Sequence, residues 1–179
     1  FYTHPTALPS VQRGSIKLDL HRRDFTINTL AIQLNTKKFG TLIDFFGAQK
    51  DIKEKTIRVL HNLSFVEDPT RVFRAIRFEQ RFDFTIGKLT AGLILNAVTM
   101  DFFRGLRGKR VSTEMRLILE EKNPVGAITR LNDFGLLKVI HPSIKLDFNL
   151  LSLLESVNDA LAAVKSSGTY DTLYDKYFK

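Results

Sequence analysis

The chain has 179 residues, 44% of them hydrophobic, with 15 Phe, no Cys and a formal net charge of +8; that is enough apolar material for one domain or two small ones and too much for a disordered tail. The lack of cysteine excludes disulfides, thiolate metal sites and a thiol nucleophile, and it fits a reducing cytoplasm; no apolar run approaches the roughly 18 residues of a membrane-spanning helix. The positive charge means either a solubilising surface or a polyanionic partner, and the clustering of Arg and Lys decides between them.

Residues 1–13, with Pro5 and Pro9, read as an irregular lead-in. The chain opens Phe1-Tyr2-Thr3, with no Met and no signal peptide, which reads as a fragment boundary inside a fold. Residues 14–20 (GSIKLDL) alternate apolar and polar, a strand signal. Residues 26–34 (TINTLAIQL) read as a short buried helix and 41–45 (TLIDF) as a second strand. Gly47 marks a turn, 48–55 a polar helix and 56–60 a third strand. Beyond Asn62 the expectation is helices alone. A long one covers 64–82, with Asp68 as N-cap and Pro69 at its first position. Others are expected near 87–98, 111–121, 124–133, 149–165 and 171–177. Ser112 and Asn123-Pro124 serve as start signals and Gly135 as a stop. Three short strands are too few for a free-standing α/β domain, so the first region reads as the end of a larger sheet.

Three constellations carry chemistry. In Arg22-Arg23-Asp24-Phe25-Thr26-Ile27-Asn28 two cations precede a carboxylate at a strand–helix junction. The arginines suit a polyphosphate, and Asp24 and Asn28 suit ribose hydroxyls; a surface turn in which Asp24 caps a helix is the plainer alternative. In Glu67-Asp68-Pro69-Thr70-Arg71 and onward, Arg71, Arg74, Arg77 and Arg81 form one stripe on a helix. Like charges at that spacing repel, and a phosphate or carboxylate partner would relieve them. Asp68 accepts and Arg71 donates one turn on, a pair able to read the edge of a base; a capped, solvated basic helix is the alternative. Finally, Arg104, Arg107, Lys109 and Arg110 interleave with Gly105 and Gly108, either as a phosphate-backbone loop or as a solvated linker. The four His share no metal-ligand spacing.

The order and separation of the first two constellations resemble the class II tRNA nucleotidyltransferase and bacterial poly(A) polymerase family. LHRRDFTINTLA is similar to its ribose and triphosphate motif, and LIDFFGAQKDI to its D-x-x-x-G motif, here with glycine one place early as D-F-F-G. VEDPTRVFRAIRF is similar to its E-D-x-x-R motif, a protein template for the incoming base. Residues 111–142 resemble its helical neck and body, and the likeness runs over residues 1–142.

The resemblance implies an α+β chain: residues 1–62 as the remainder of a nucleotidyltransferase head, 63–142 as helical neck and body, and 143–179 as a further helical segment. It implies Arg23 on nucleotide phosphate, Asp24 and Asn28 near the ribose, and Asp68 and Arg71 on the base of ATP or CTP. Arg74 and Arg77 would face the phosphates; separately from the resemblance, the basic run itself marks Arg104, Arg107, Lys109 and Arg110 as the expected RNA contacts. The activity implied is Mg²⁺-dependent addition of AMP, and by extension CMP, to a tRNA 3′ end in the cytoplasm. The family's Gly-Gly motif and D-x-D metal pair occur nowhere in this sequence. No catalytic or metal residue is therefore assigned, and the chain alone is expected to bind nucleotide without turnover. A poly(A) polymerase, a non-catalytic RNA-binding module and a helical interaction domain with a basic face are the rival readings.

Overall fold

The computed structural model describes residues 14–103 and 109–178. It is mostly helical with a few short strands.

Ser15 caps the first helix, α1 (Ile16–His21), its side chain accepting from Leu18 N at 3.2 Å. This helix replaces the strand expected over 14–20. The alternation brings Ile16, Leu18 and Leu20 into phase, but only Leu20 is buried. Asp19 pairs instead with Arg22 at 2.5 Å, a helical spacing.

The helix expected over 26–34 is also overturned. A single 3-10 turn, Thr26–Asn28, leads to strand β1 (Ala31–Ile32). Long-range bonds override the local pattern: Thr26 N donates to Arg58 O at 2.9 Å and Thr26 Oγ1 to Asp51 Oδ2 at 2.6 Å. β-branched Thr26, Ile27 and Thr29 resist helix as well. β1 pairs antiparallel with β2 (Leu42–Ile43), Ala31 opposite Ile43. Asp44 then satisfies free amides at the start of α2 (Ala48–Lys53), accepting from Ala48 N at 2.9 Å and Gln49 N at 3.0 Å. Burial pushes the Asp44 carboxyl up, but these amides outweigh it and hold the group below the ordinary carboxylate value. Gly47, at φ +77°, takes the left-handed turn that the D-F-F-G variant requires.

β3 (Thr56–Ile57) has a partner beyond position 62. It pairs in parallel with β4 (Thr85–Ile86), which corrects the expectation of helices alone there. The helix expected over 64–82 is two helices, α3 (Ser64–Glu67) and α4 (Arg71–Phe82). Asp68 breaks them with φ −149° and ψ 91°, because a residue before proline is kept out of the helical region. Asp68 is thus no N-cap of one long helix. Its Oδ1 accepts from Thr70 N at 3.1 Å and holds the turn between the two.

The remaining helices are α5 (Lys88–Thr99), α6 (Lys109–Leu119), α7 (Pro124–Asp133), α8 (Leu136–Ile140), α9 (Phe148–Ser166) and α10 (Thr169–Phe178). Asn123 caps α7 as expected, accepting from Gly126 N at 3.2 Å with Pro124 in the first turn. Ser112 lies inside α6, bonded to Lys109 O, and is not its start. Gly135, at φ +73°, ends α7 and precedes the unexpected α8.

One apolar cluster spans these elements. It joins Phe25, Ile57 and Val59 to Phe65, Val72, Phe73 and Ile76 of α3 and α4, then to Ile94, Ile118, Leu131 and Leu136 of α5 to α8. Seven of the twelve residues of α4 are buried, so this helix is the axis of the core. Phe73, fully buried and edge-on to Phe103, would cost about 3–5 kcal/mol to truncate to Ala. No helix among the described residues is long and apolar enough to cross a membrane.

Candidate functional site

α4 carries the arginine stripe, and the structure shows what relieves its repulsion. Arg74 donates from Nε and Nη2 to Asp24 Oδ2, at 2.8 and 2.6 Å, and from Nη1 to Glu114 Oε1 at 3.3 Å. Arg77 donates to Glu114 Oε2 at 3.3 Å and Glu121 Oε1 at 3.4 Å. Arg81 reaches Glu121 at 3.7 Å. The counter-charges are therefore carboxylates of the chain itself: Asp24 after α1, Glu114 of α6 and Glu121 just beyond it, with Glu67 of α3 3.8 Å from Arg71. Sequence reasoning singled out neither Glu114 nor Glu121. Their spacing of seven was the available signal, since it places both on one face of a helix.

The break between α3 and α4 faces the turn that follows α1. Together they line an open pocket of about 530 Å³ formed by Arg23, Asp24, Asn28, Asp68, Arg71, Arg74 and Phe78. Six of these residues were expected at the site. Phe78 was not; its ring forms a wall under the guanidinium groups of Arg77 and Arg74, 4.8 and 5.3 Å from its centroid. Arg77 is buried, is held by two carboxylates and is not among the lining residues. Arg110 meets the pocket through Asp68, while Lys109 is exposed at the start of α6. Arg104 and Arg107 lie outside the described residues.

Asp24 is the buried hub of the pocket floor. Its Oδ1 accepts from Phe25 N at 2.9 Å and Asn28 Nδ2 at 2.8 Å, and its Oδ2 takes both bonds from Arg74. Burial pushes the carboxyl up; the Asn28 bond, the Arg74 charge and the remaining bonds outweigh burial and hold it below the ordinary value. Arg74 is held in its charged form in turn. Burial acts against the cation, and Asp24 and Glu114 more than compensate. Arg23 donates to Asn28 O at 3.1 Å, closing the same turn.

Also lining the pocket, Asp68 has an Oδ1 that accepts from Thr70 N and from Thr70 Oγ1, at 3.1 and 2.5 Å. Arg71 donates to Ser64 Oγ at 2.8 Å and Arg22 O at 3.1 Å. These bonds fix the guanidinium plane without using Nε. An acceptor and a donor three positions apart in the chain thus line the same pocket as Arg23 and Arg74. Such a lining suits a ligand that combines a hydrogen-bonding face with negative charge. Among the described residues no three His, Asp or Glu are grouped to hold a metal ion.

Residues 2–58 match the Poly A polymerase head domain family. The chain is similar to the A-adding tRNA nucleotidyltransferase of Geobacter sulfurreducens, 59% identical over 161 residues, which are 90% of this chain and 18% of that protein. A solved CCA-adding enzyme with ATP superposes with a TM-score of 0.78 and 48% identity, covering 84% of this chain and 36% of that one. The Thermotoga maritima CCA-adding enzyme complexed with tRNA superposes at 0.77 and 48%, covering 84% and 37%. The chain thus spans well under half the length of each.

Proposed function

We propose that this chain, which belongs to the class II tRNA nucleotidyltransferase family, supplies the nucleotide-selecting pocket and part of the RNA surface of an enzyme that adds AMP to a tRNA 3′ end. The observation that carries this is the convergence of Asp68 and Arg71 with Arg23, Asp24, Asn28 and Arg74 on one pocket. Asp68 accepts from the exocyclic amino group of adenine and Arg71 donates to the neighbouring ring nitrogen. Asn28 and Asp24 face the ribose. Arg23 and Arg74 meet the phosphates, with Asp24 and Glu114 fixing the angle of Arg74. Arg77 acts from behind, as a positioning residue that ties α4 to Glu114 and Glu121.

Cytosine presents the same donor–acceptor edge as adenine. That shared chemistry favours CMP addition as the second reading. Residues 1–62 then act as head and 63–142 as neck and body, with 143–179 a further helical segment. One core nevertheless crosses position 62. Lys109 and Arg110, with Arg104 and Arg107, contact acceptor phosphates. The cysteine-free composition agrees with action in the cytoplasm.

Phosphoryl transfer of this kind uses carboxylate-held Mg²⁺. The described residues hold no suitable group and the sequence has no D-x-D. The described residues do not fit that metal, and we assign Mg²⁺ to none of them.

The test is addition by the intact enzyme to tRNA ending before CCA, after C and after CC, with each triphosphate offered singly. AMP addition to the CC-ended RNA alone is expected. Addition of C to the shorter RNAs supports the second reading. Long A tails would mean a poly(A) polymerase, and no addition at all would leave an RNA-binding module.

A further inference from the structure

We propose that Arg110 holds the place of the incoming base on Asp68 until acceptor RNA draws it away. This rests on the base-reading role of Asp68 given above. Of the two carboxylate oxygens, Oδ1 is committed to Thr70 N and Thr70 Oγ1 within the turn. Oδ2 is the oxygen left for a base amino group, and it is the one that Arg110 Nη2 occupies, at 2.5 Å. The same nitrogen reaches Thr70 Oγ1 at 3.3 Å. A guanidinium N–H and an exocyclic amino N–H are alike as donors; Oδ2 keeps a second lone pair, so the competition is for the approach to that oxygen, which the bulk of a seated guanidinium obstructs.

The two partners are held unequally. The Asp68 side chain is 21% exposed and fixed by its turn, whereas the Arg110 side chain is 66% exposed. An ion pair at such an edge contributes little net free energy, because solvent screens it and a long side chain must be ordered to make it. The Arg74–Asp24 pair, with Asp24 at 9% exposure, is of the opposite kind and stays. Arg110 also closes the basic run that begins at Arg104. A phosphodiester offers its guanidinium two anionic oxygens in place of one occupied carboxylate. Acceptor RNA therefore pulls Arg110 off Asp68 and frees Oδ2 for the base. Nucleotide selection becomes coupled to the presence of the acceptor, and the coupling is reciprocal.

The experiment is equilibrium titration of ATP into the intact enzyme, with and without an RNA minihelix ending in CC. It is run for the native protein, R110A, D68A and the double variant, with thermal midpoints recorded. The expected result is that R110A binds ATP about fivefold more tightly than native without RNA, the factor corresponding to an exposed ion pair. RNA tightens ATP binding in the native protein by a similar factor and does not do so in R110A. D68A weakens ATP binding, and adding R110A to it changes nothing. If R110A leaves the RNA-free Kd unchanged while D68A weakens it, the placeholder role is wrong and base reading stands. If D68A binds ATP like the native protein, base reading fails and the placeholder role with it.

Discussion

Arg74 and Asp24, fifty positions apart in the chain, share two hydrogen bonds at 2.8 and 2.6 Å that tie the α1 turn to α4. The folded state therefore holds the Asp24 carboxyl below its ordinary value of 3.8. A depressed folded-state pKa stabilises the fold above the unfolded value, and that stability is lost as pH falls through the folded one. Asp24→Asn removes the nearer of the two carboxylates that hold Arg74, leaving Glu114 at 3.3 Å, and is expected to cost about 2 kcal/mol at neutral pH. The gap in thermal midpoint between native and variant should close as pH falls below about 4. A gap that stays constant from pH 7 to pH 3 would contradict the linkage.

Glu114 braces the pocket from behind, joining α6 to both Arg74 and Arg77. Glu114→Ala leaves two guanidinium groups short of a partner. The expected loss is about 3 kcal/mol of stability, together with weaker ATP binding as Arg74 loses its second support. Chemical denaturation and an ATP titration check the two effects. Weaker ATP binding with unchanged stability would mean that Glu114 touches the nucleotide directly.

Much of the pocket was legible in the sequence, because its residues are close in sequence and chemically unlike their neighbours. Arg23, Asp24 and Asn28 lie within one turn, as do Asp68 and Arg71, and each set combines donors with acceptors. The helices from α5 onward, α8 excepted, were legible from period and caps, Asn123-Pro124 above all. The failures came where particular bonds, local or distant, outweighed the apolar pattern. α1 alternates like a strand, yet Ser15 and the Asp19–Arg22 pair make it a helix. Residues 26–34 have a helical period, yet Thr26 is tied to Arg58 and Asp51. β4 is two residues long and carries no periodic signal. The arginine stripe signalled missing counter-charge correctly, but local reading could not reveal that Glu114 and Glu121 supply much of it.

RNA binding should show the electrostatics of the basic run. Each phosphate neutralised on a single strand adds roughly 0.7 to the log–log salt slope, and on a duplex roughly 0.9. Replacing Arg107 and Arg110 together with Ala is expected to reduce the slope by between one and two. Filter binding of tRNA from about 50 to 200 mM salt measures it. An unchanged slope would place the acceptor on another face.

If Asp68 and Arg71 read the base, discrimination among the four triphosphates depends on them. Guanine and uracil present a donor where adenine and cytosine present a ring acceptor, so each leaves the pair mismatched. An unpaired buried group costs about 1–3 kcal/mol, or roughly ten- to a hundredfold in selection. The measurement is kcat/KM for ATP, CTP, GTP and UTP with the intact enzyme, in the native form, D68A and R71A, alongside each thermal midpoint. Both variants are predicted to accept GTP and UTP more nearly as well as ATP, in addition to being slower. If the midpoints fall while the four ratios stay at native values, Asp68 serves only to hold the turn before α4, and the account of nucleotide selection is wrong.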